Sequence, residues 1–584
     1  MPTLRDSLRP RARDHAPSTN VLQPFTEGIV PIRALAGTTA LLLAASVKLP
    51  AQQPNDSTRV SLDRVFAAWS SKDGPGCAVA ASQSGKTIYE AGYGSANLEA
   101  DVPITPASIF HAASVSKQFT AMAVLLLARE GKLSLDADVR TYLPELPDYG
   151  HKITLRHLLT HTSGLRDQWD LLSMARGRFE EDRITEADVL DIVTRQKSLN
   201  FVPGTEYLYS NTGYTLAGTV VKRASGKTLR QFADERIFQP LGMTRTHFHD
   251  DYHMLVKGRT SAYARRANGE WRVSTPNFDT YGATSLFTTA GDLLKWQENF
   301  RHPVVGDDAM FREMQTSAVL ANGDTTGYGL GVGIETQRGM RLVGHSGADA
   351  GYRAYTGRYP EHAFAVAVLC NAGPSNPSAL SAEVAAIYLK SFMKPVPAPV
   401  VATAKPSPQE LARVAGLYVN PVTGNVTFVT LRDTALVVGR TMGPALVPIG
   451  ERRFWFAPQQ AEWEFTPNGT LVQRFRSAPP RTSMTLTRRE AARSSRQDLA
   501  GYAGSYSSDE LGATYLVAAT DTALTFRTRT AQPWTVIPSY GDTFLGQSLV
   551  GQSLLEFTRD ASGRVNGVLM STGRVRKVRF DKVR

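Results

Sequence analysis

Ser114-Val115-Ser116-Lys117 runs on through Gln118-Phe119-Thr120-Ala121-Met122-Ala123-Val124-Leu125-Leu126-Leu127-Ala128-Arg129-Glu130 in helical periodicity. If Ser114 opens that helix, its oxygen lies where free backbone N–H groups point and the macrodipole favours negative charge. Lys117, three residues on, falls on the same face one turn up. An amine held beside a hydroxyl lowers the cost of an alkoxide or takes its proton outright. Ser116 points off that face and reads as packing. Alone the pattern is weak, because serine caps followed by lysine are common in helices.

Two further segments strengthen it. Pro203-Gly204-Thr205-Glu206-Tyr207-Leu208-Tyr209-Ser210-Asn211 offers a tyrosine and an asparagine two apart on a turn. Leu342-Val343-Gly344-His345-Ser346-Gly347-Ala348 ends a strand with a glycine that lets a ligand approach the backbone. Together the three segments resemble the motif set of the penicillin-recognising serine hydrolases, Ser-x-x-Lys, a Ser-Asp-Asn or Tyr-x-Asn element and Lys-Thr-Gly. The Tyr-x-Asn form and the spacings, 95 residues from Ser114 to Tyr209 and 136 more to His345, are similar to class C β-lactamases, D-aminopeptidases and related esterases. So are Leu158-Leu159-Thr160-His161-Thr162-Ser163-Gly164-Leu165 and Gly282-Ala283-Thr284-Ser285-Leu286-Phe287-Thr288-Thr289. His161 reads as ordering a turn. The resemblance covers roughly residues 60–392 of a domain expected over 56–392, and implies an antiparallel sheet flanked by helices (α/β, α+β).

The resemblance also implies roles. Ser114 attacks a carbonyl to form an acyl-enzyme, and Lys117 and Tyr209 share the proton traffic, with the base between them left open. Asn211 and His345 bind substrate, and Gly347 lets it approach. The N–H groups of Ser114 and Ala348 form the oxyanion hole. No metal or other cofactor is implied. His345 departs from the pattern, since β-lactamases and transpeptidases usually carry lysine there for a substrate carboxylate. Imidazole is largely neutral near pH 7. The substrates expected are amides or esters, including peptides with D-residues, as in D-aminopeptidases and esterases. Two alternatives remain: a true β-lactamase or D-Ala-D-Ala carboxypeptidase, and a non-catalytic penicillin-sensing or scaffold protein.

Moving outward, apolar runs predict strands at 76–82, 341–344 and 363–370, and helical patterns appear at 213–225 and 289–300. Thr289-Ala290-Gly291-Asp292 reads as a capping box. In the family the chain resembles, the last strand pairs with the first. Carried over, this brings Cys370 beside Cys77 and implies a possible disulfide between the chain's two cysteines. Residues 393–408 form a proline-rich linker.

Beyond it the chain repeats itself. Leu411-Ala412-x-x-Ala415-Gly416-x-Tyr418 recurs as Leu499-Ala500-x-x-Ala503-Gly504-x-Tyr506, and Asp433-Thr434-Ala435-Leu436 as Asp521-Thr522-Ala523-Leu524, both at an offset of 88. Glu464-Phe465-Thr466 recurs as Glu556-Phe557-Thr558. Short alternating runs rich in Val, Thr, Phe and Tyr predict two small antiparallel β-barrel-like domains, 409–490 and 498–584.

The formal charge of +12 suggests nucleic acid until it is divided along the chain. Residues 51–400 hold 36 basic and 36 acidic side chains, whereas 401–584 hold 23 and 14. No helix-turn-helix, RNP or zinc-finger pattern accompanies the excess, so solvated arginines are expected and no nucleic-acid partner. Arg574-Val575-Arg576-Lys577-Val578-Arg579 reads as an edge strand with one charged face. His247, His249 and His253 with Asp250 and Asp251 match no usual metal spacing. At the N-terminus, Arg33 precedes an apolar run from Ala34 to Val47, too short to span a bilayer. Residues 1–51 are expected to be a signal peptide, initiation at Val30 giving one of ordinary length, and the protein to be periplasmic or extracellular.

Overall fold

The computed structural model describes residues 55–395, 406–475, 483–492, 495–528 and 532–583. The expected signal, 1–51, and the middle of the linker, 396–405, lie outside them.

The first domain is built on one antiparallel sheet. Its strands are β1 (Cys77–Gln83), β2 (Lys86–Tyr93), β3 (Gly333–Gln337), β4 (Met340–Asp349), β5 (Tyr352–Tyr359) and β6 (Phe364–Cys370). They lie in the order β3-β4-β5-β6-β1-β2. Every residue of β6 and the first six of β1 are buried. Both faces are covered, which is why these strands read as continuous apolar runs rather than alternating ones. On one face Cys77, Val79, Ala81, Val366, Val368 and Cys370 pack under α1 (Asp56–Val65) and, further along the chain, Pro377–Tyr388. On the other, Ala78, Ala80, Ala365 and Ala367 join the large helical core. β1 and β6 are antiparallel with Cys77 opposite Cys370, and a disulfide joins them, with Cα atoms 4.0 Å apart.

The helical half surrounds α2 (Ser116–Arg129), buried from Ser116 to Leu127. From Ala121 to Leu127 it is apolar on all sides, as befits a helix at the centre of a core, while its polar first turn carries Ser116, Lys117 and Gln118. α3 (Asn211–Ser225) packs along it, and Phe119 meets Trp296 of α4 (Ala290–Asn299) at 4.6 Å between ring centres. The capping box expected at Thr289 is only half present. Thr289 accepts the Asp292 N–H, but the Asp292 carboxylate instead takes Arg245 N, Thr246 Oγ1 and Lys295 Nζ.

The C-terminal region forms two closed eight-stranded barrels, from Gly416–Val419 to Ser483–Arg489 and from Gly504–Ser508 to Val578–Val583. The sequence repeat has a structural cause in each. A short helix, Pro408–Val414 or Arg496–Ala500, buries Leu411 or Leu499. The following tyrosine then donates back four residues, Tyr418 to Val414 O at 2.8 Å and Tyr506 to Tyr502 O at 2.6 Å. Among the described residues no helix is long and apolar enough to cross a membrane.

Candidate active site

From Ser108 to Leu127 every residue is buried except Ser114. It lies in a single 3-10 turn, Ala113–Val115, and the α-helix proper starts after it, at Ser116. Ala113 ahead of it takes the left-handed conformation, φ 48°. This is a strained choice for a residue with a Cβ, of order 1 kcal/mol, and neighbouring bonds hold it. Ala112 N donates to Leu286 O at 2.7 Å. Ser116 Oγ donates to Ala113 O and accepts from Leu286 N at 3.0 Å, so Ser116 anchors the turn.

Lys117 is fully buried. Its Nζ donates to Ser114 Oγ at 3.0 Å, Asn211 Oδ1 at 2.9 Å and Ala283 O at 2.7 Å. Burial brings its pKa down to about 7; Arg574 acts the same way, against Asp349 and Asp167. The ammonium thus has all three hydrogens satisfied. The neutral amine would keep two and turn its lone pair to the Ser114 hydroxyl, and both forms are accessible near neutrality.

Tyr209 precedes α3, and Asn211 opens that helix rather than lying on the turn. Tyr209 is held through its surroundings: His161 Nδ1 accepts Ser210 N–H at 3.1 Å, and the His161 ring lies 4.1 Å from that of Tyr209. Burial raises the Tyr209 phenol, and Ser114 and then Arg574 pull it back. Asn211 is a bracket: Oδ1 accepts from Lys117, while its N and Nδ2 donate to Asp167 Oδ2 at 2.6 and 2.9 Å.

β4 supplies the facing wall. Residues 340–344 pair with β3 and 343–349 with β5, so 345–349 pair only with β5. The free edge borders Ser114 across the cleft. A Cβ at Gly347 would come within 2.3 Å of Ala112 O, so glycine is what allows this strand to meet the Ser114 segment. His345 Nδ1 lies on a carbonyl, Ser346 O, and must donate; Nε2 therefore accepts from Tyr328 at 2.8 Å. Burial, with Lys117, brings its pKa down to about 3, so the ring is neutral.

The cleft, about 660 Å³, brings together Ser114, Tyr209, Asn211, His345, Gly347 and Ala348, with Lys117 beneath them. Three carboxylates also line it: Asp170, Glu180 and Asp349. Burial, reinforced by Asp167, brings Asp170 up to about 6; burial, reinforced by Asp349, brings Glu180 up to about 7. Asp349 accepts from Thr284 Oγ1 and pairs with His111 Nε2 at 2.8 Å.

One wall comes from the second barrel. Residues 574–577, read from sequence as the start of a charged edge strand, belong to a loop over 572–577; the strand begins only at Val578. Thr572 Oγ1 and Arg574 N donate to Asp170 Oδ2, and Arg574 O accepts from Asn200 Nδ2 at 2.9 Å. The Arg574 guanidinium lies over the Tyr209 ring, 4.9 Å from its centre. Arg576 grips Glu206 with two bonds at 3.0 and 3.1 Å. Arg576 is thus docked rather than solvated, while the Arg574 guanidinium stays partly exposed on the cleft wall. Their charge run was visible in the sequence, but what it faces was not. Asp167 left a local signal, as the cap of helix Gln168–Arg176, whereas Asp349 and His111 left none.

The Beta-lactamase family model matches residues 62–389. A D-aminopeptidase of Brucella canis is 26% identical over 541 residues, 87% of this chain and 96% of that protein. A D-aminopeptidase of Gluconobacter oxydans is 28% identical over 320 residues, 54% of this chain and 60% of that protein's length. Among solved structures, an octameric penicillin-binding protein homologue from Pyrococcus abyssi has a TM-score of 0.53 at 24% identity. It covers 74% of this chain and 99% of its own, a likeness of fold.

Proposed function

The chain belongs to the Beta-lactamase family of serine hydrolases, and from that premise we propose that it hydrolyses amides of D-amino acids or D-residue peptides bearing a free amino group. The observation that carries this is the charge of the cleft. His345 is neutral where a carboxylate-binding lysine would stand, while three carboxylates, Asp170, Glu180 and Asp349, line the same cavity against a single lining cation among the described residues, Arg574. Burial first, and then repulsion from Asp167 and Asp349, raise Asp170 and Glu180; a substrate ammonium offsets both, whereas a substrate carboxylate adds to the repulsion. The D-aminopeptidases that resemble the chain support the same choice.

In this reading Ser114 Oγ gives its proton to the Lys117–Tyr209 pair and bonds to the substrate carbonyl carbon. The oxyanion is held by the N–H groups of Ser114 and Ala348, an electrostatic contribution typically of about 3 kcal/mol per donor. The same pair returns the proton to the leaving amine, and water then releases the acid from Ser114. Asn211, tied on one side to Lys117 and on the other to Asp167, orients that pair and offers its remaining amide hydrogen to the substrate. Export belongs to the same proposal: the apolar run 34–47 and the Cys77–Cys370 bond both suit an oxidising compartment.

The test is a substrate panel: D- and L-amino acid amides, their N-acetyl derivatives, a neutral short-chain ester and nitrocefin. The D-amide is expected to exceed the L-amide and its own N-acetyl derivative at least about tenfold in kcat/KM, roughly 1.4 kcal/mol of discrimination. Preferred nitrocefin turnover would make the protein a β-lactamase instead, and preferred ester turnover without regard to the amine an esterase.

A further inference from the structure

We propose that Arg574, carried by the second barrel, is a positioning residue for catalysis in the first domain, its guanidinium supplying the positive charge that favours proton loss from the Tyr209–Lys117 pair. This rests on the assignment of Ser114, Lys117 and Tyr209 to acyl transfer.

The loop is built to deliver a headgroup. Its backbone is fixed on both sides of Arg574, the N–H on Asp170 and the carbonyl under Asn200 Nδ2 and Asp167 N. Val575 beyond it is fully buried. The two neighbouring arginines are then used differently. Arg576 spends its guanidinium on Glu206 and is 14% exposed, as an anchor would be. Arg574 needs no such anchoring. Its guanidinium makes no hydrogen bond among the described residues, stays 42% exposed on the cleft wall, and has Asp167 at 3.9 Å as its nearest carboxylate.

What the guanidinium touches is the proton-transfer apparatus. It lies 4.9 Å from the centre of the Tyr209 ring, as Lys117 Nζ does. Through Asp167 it continues a chain of contacts to the nucleophile. Asp167 Oδ2 accepts both donors of Asn211, Asn211 Oδ1 accepts from Lys117 Nζ, and Lys117 Nζ reaches Ser114 Oγ. The other groups facing the pair are His161 and His345, both kept neutral by burial, Tyr207, Tyr214 and Tyr328, and the carboxylates Asp167 and Asp349, while Asp170 faces Arg574. The carboxylates hold protons on the pair. Arg574 is the cation that opposes them.

The sign is the same for both members. A neighbouring positive charge favours phenolate at Tyr209 and neutral amine at Lys117, so removing it raises both pKa values. The acid limb of kcat/KM is set by Lys117, the member whose pKa burial brings down to about 7, and therefore moves to higher pH when the charge is removed. A unit charge about 5 Å away, partly exposed to solvent, corresponds to a shift of about one pH unit or somewhat less.

The experiment compares wild type, Arg574→Gln and Arg574→Lys in kcat/KM from pH 5 to 9. It uses a neutral p-nitrophenyl ester, so that substrate charge plays no part, and follows thermal unfolding alongside. For Arg574→Gln the acid limb is expected to move up by about one unit, with about a tenfold loss at pH 6 that largely recovers at pH 9. Arg574→Lys keeps the limb near its wild-type position. Should the Gln variant unfold early, Arg574→Met, which keeps the apolar stem, replaces it. A loss equal at all pH values, or an unmoved limb, overturns the proposal. Undiminished ester hydrolysis by Ser114→Ala would instead overturn the acyl-transfer assignment beneath it.

Discussion

A lysine at position 345 would hold a charge over the cleft, and the imidazole found there holds none. Its Nδ1–H is committed to Ser346 O and its Nε2 to the Tyr328 hydroxyl, in a pocket where Lys117 already disfavours a second cation. His345→Lys is therefore expected to increase penicillin acylation relative to a neutral ester by no more than about fivefold, the worth of one weak ion pair, about 1 kcal/mol. It also leaves the Tyr328 hydroxyl without its acceptor, a cost of roughly 1–3 kcal/mol that a lower Tm would register. Stopped-flow acylation rates for the two substrates check the ratio; an unchanged ratio would mean that other walls set selectivity. At this scale the sequence is legible wherever chemistry depends on short spacing. Ser114 and Lys117 belong to one turn, and Tyr209 and Asn211 to one segment. Asp349 and His111 face each other across 238 residues, and no pattern announces such a pair.

Elements were legible when their burial was two-sided. β1 and β6 are runs of small and β-branched residues because helices cover both faces of the sheet, and their pairing sets Cys77 opposite Cys370. Closing a loop with a sequence separation of 293 residues restricts the unfolded chain and allows stabilisation of up to about 5 kcal/mol in the chain-entropy picture. Protein recovered from the periplasm or medium and denatured without reductant is expected to show no free thiol, and reduction to lower its Tm. Two free thiols in that fraction would contradict both the bond and the compartment proposed for it. Less legible were elements whose ends depend on distant partners. Asp292 looks like half of a capping box, yet Arg245, Thr246 and Lys295 claim its carboxylate. The free edge of β4 beside Ser114 has no local signature, because it depends on where β3 stops.

For the molecule as a whole, the repeat in the tail foretold two like domains but not that the second of them completes the cleft. The basic excess beyond residue 400 gains a partial meaning from docking: Arg574 faces Asp167, and Arg576 grips Glu206. In the other direction Arg166 of the first domain is buried against Glu510 of the second barrel at 2.7 Å. Charges that meet across a domain boundary look, along the chain, like unpaired surface. All of this acquires a function only if Ser114 is the group acylated. The most direct measurement is intact-mass analysis after treatment with a serine-directed fluorophosphonate, followed by peptide mapping, on wild type and Ser114→Ala. A single adduct confined to the peptide that carries Ser114, and absent from Ser114→Ala, is the result expected; an adduct on another serine, or one undiminished in the variant, would contradict the mechanism.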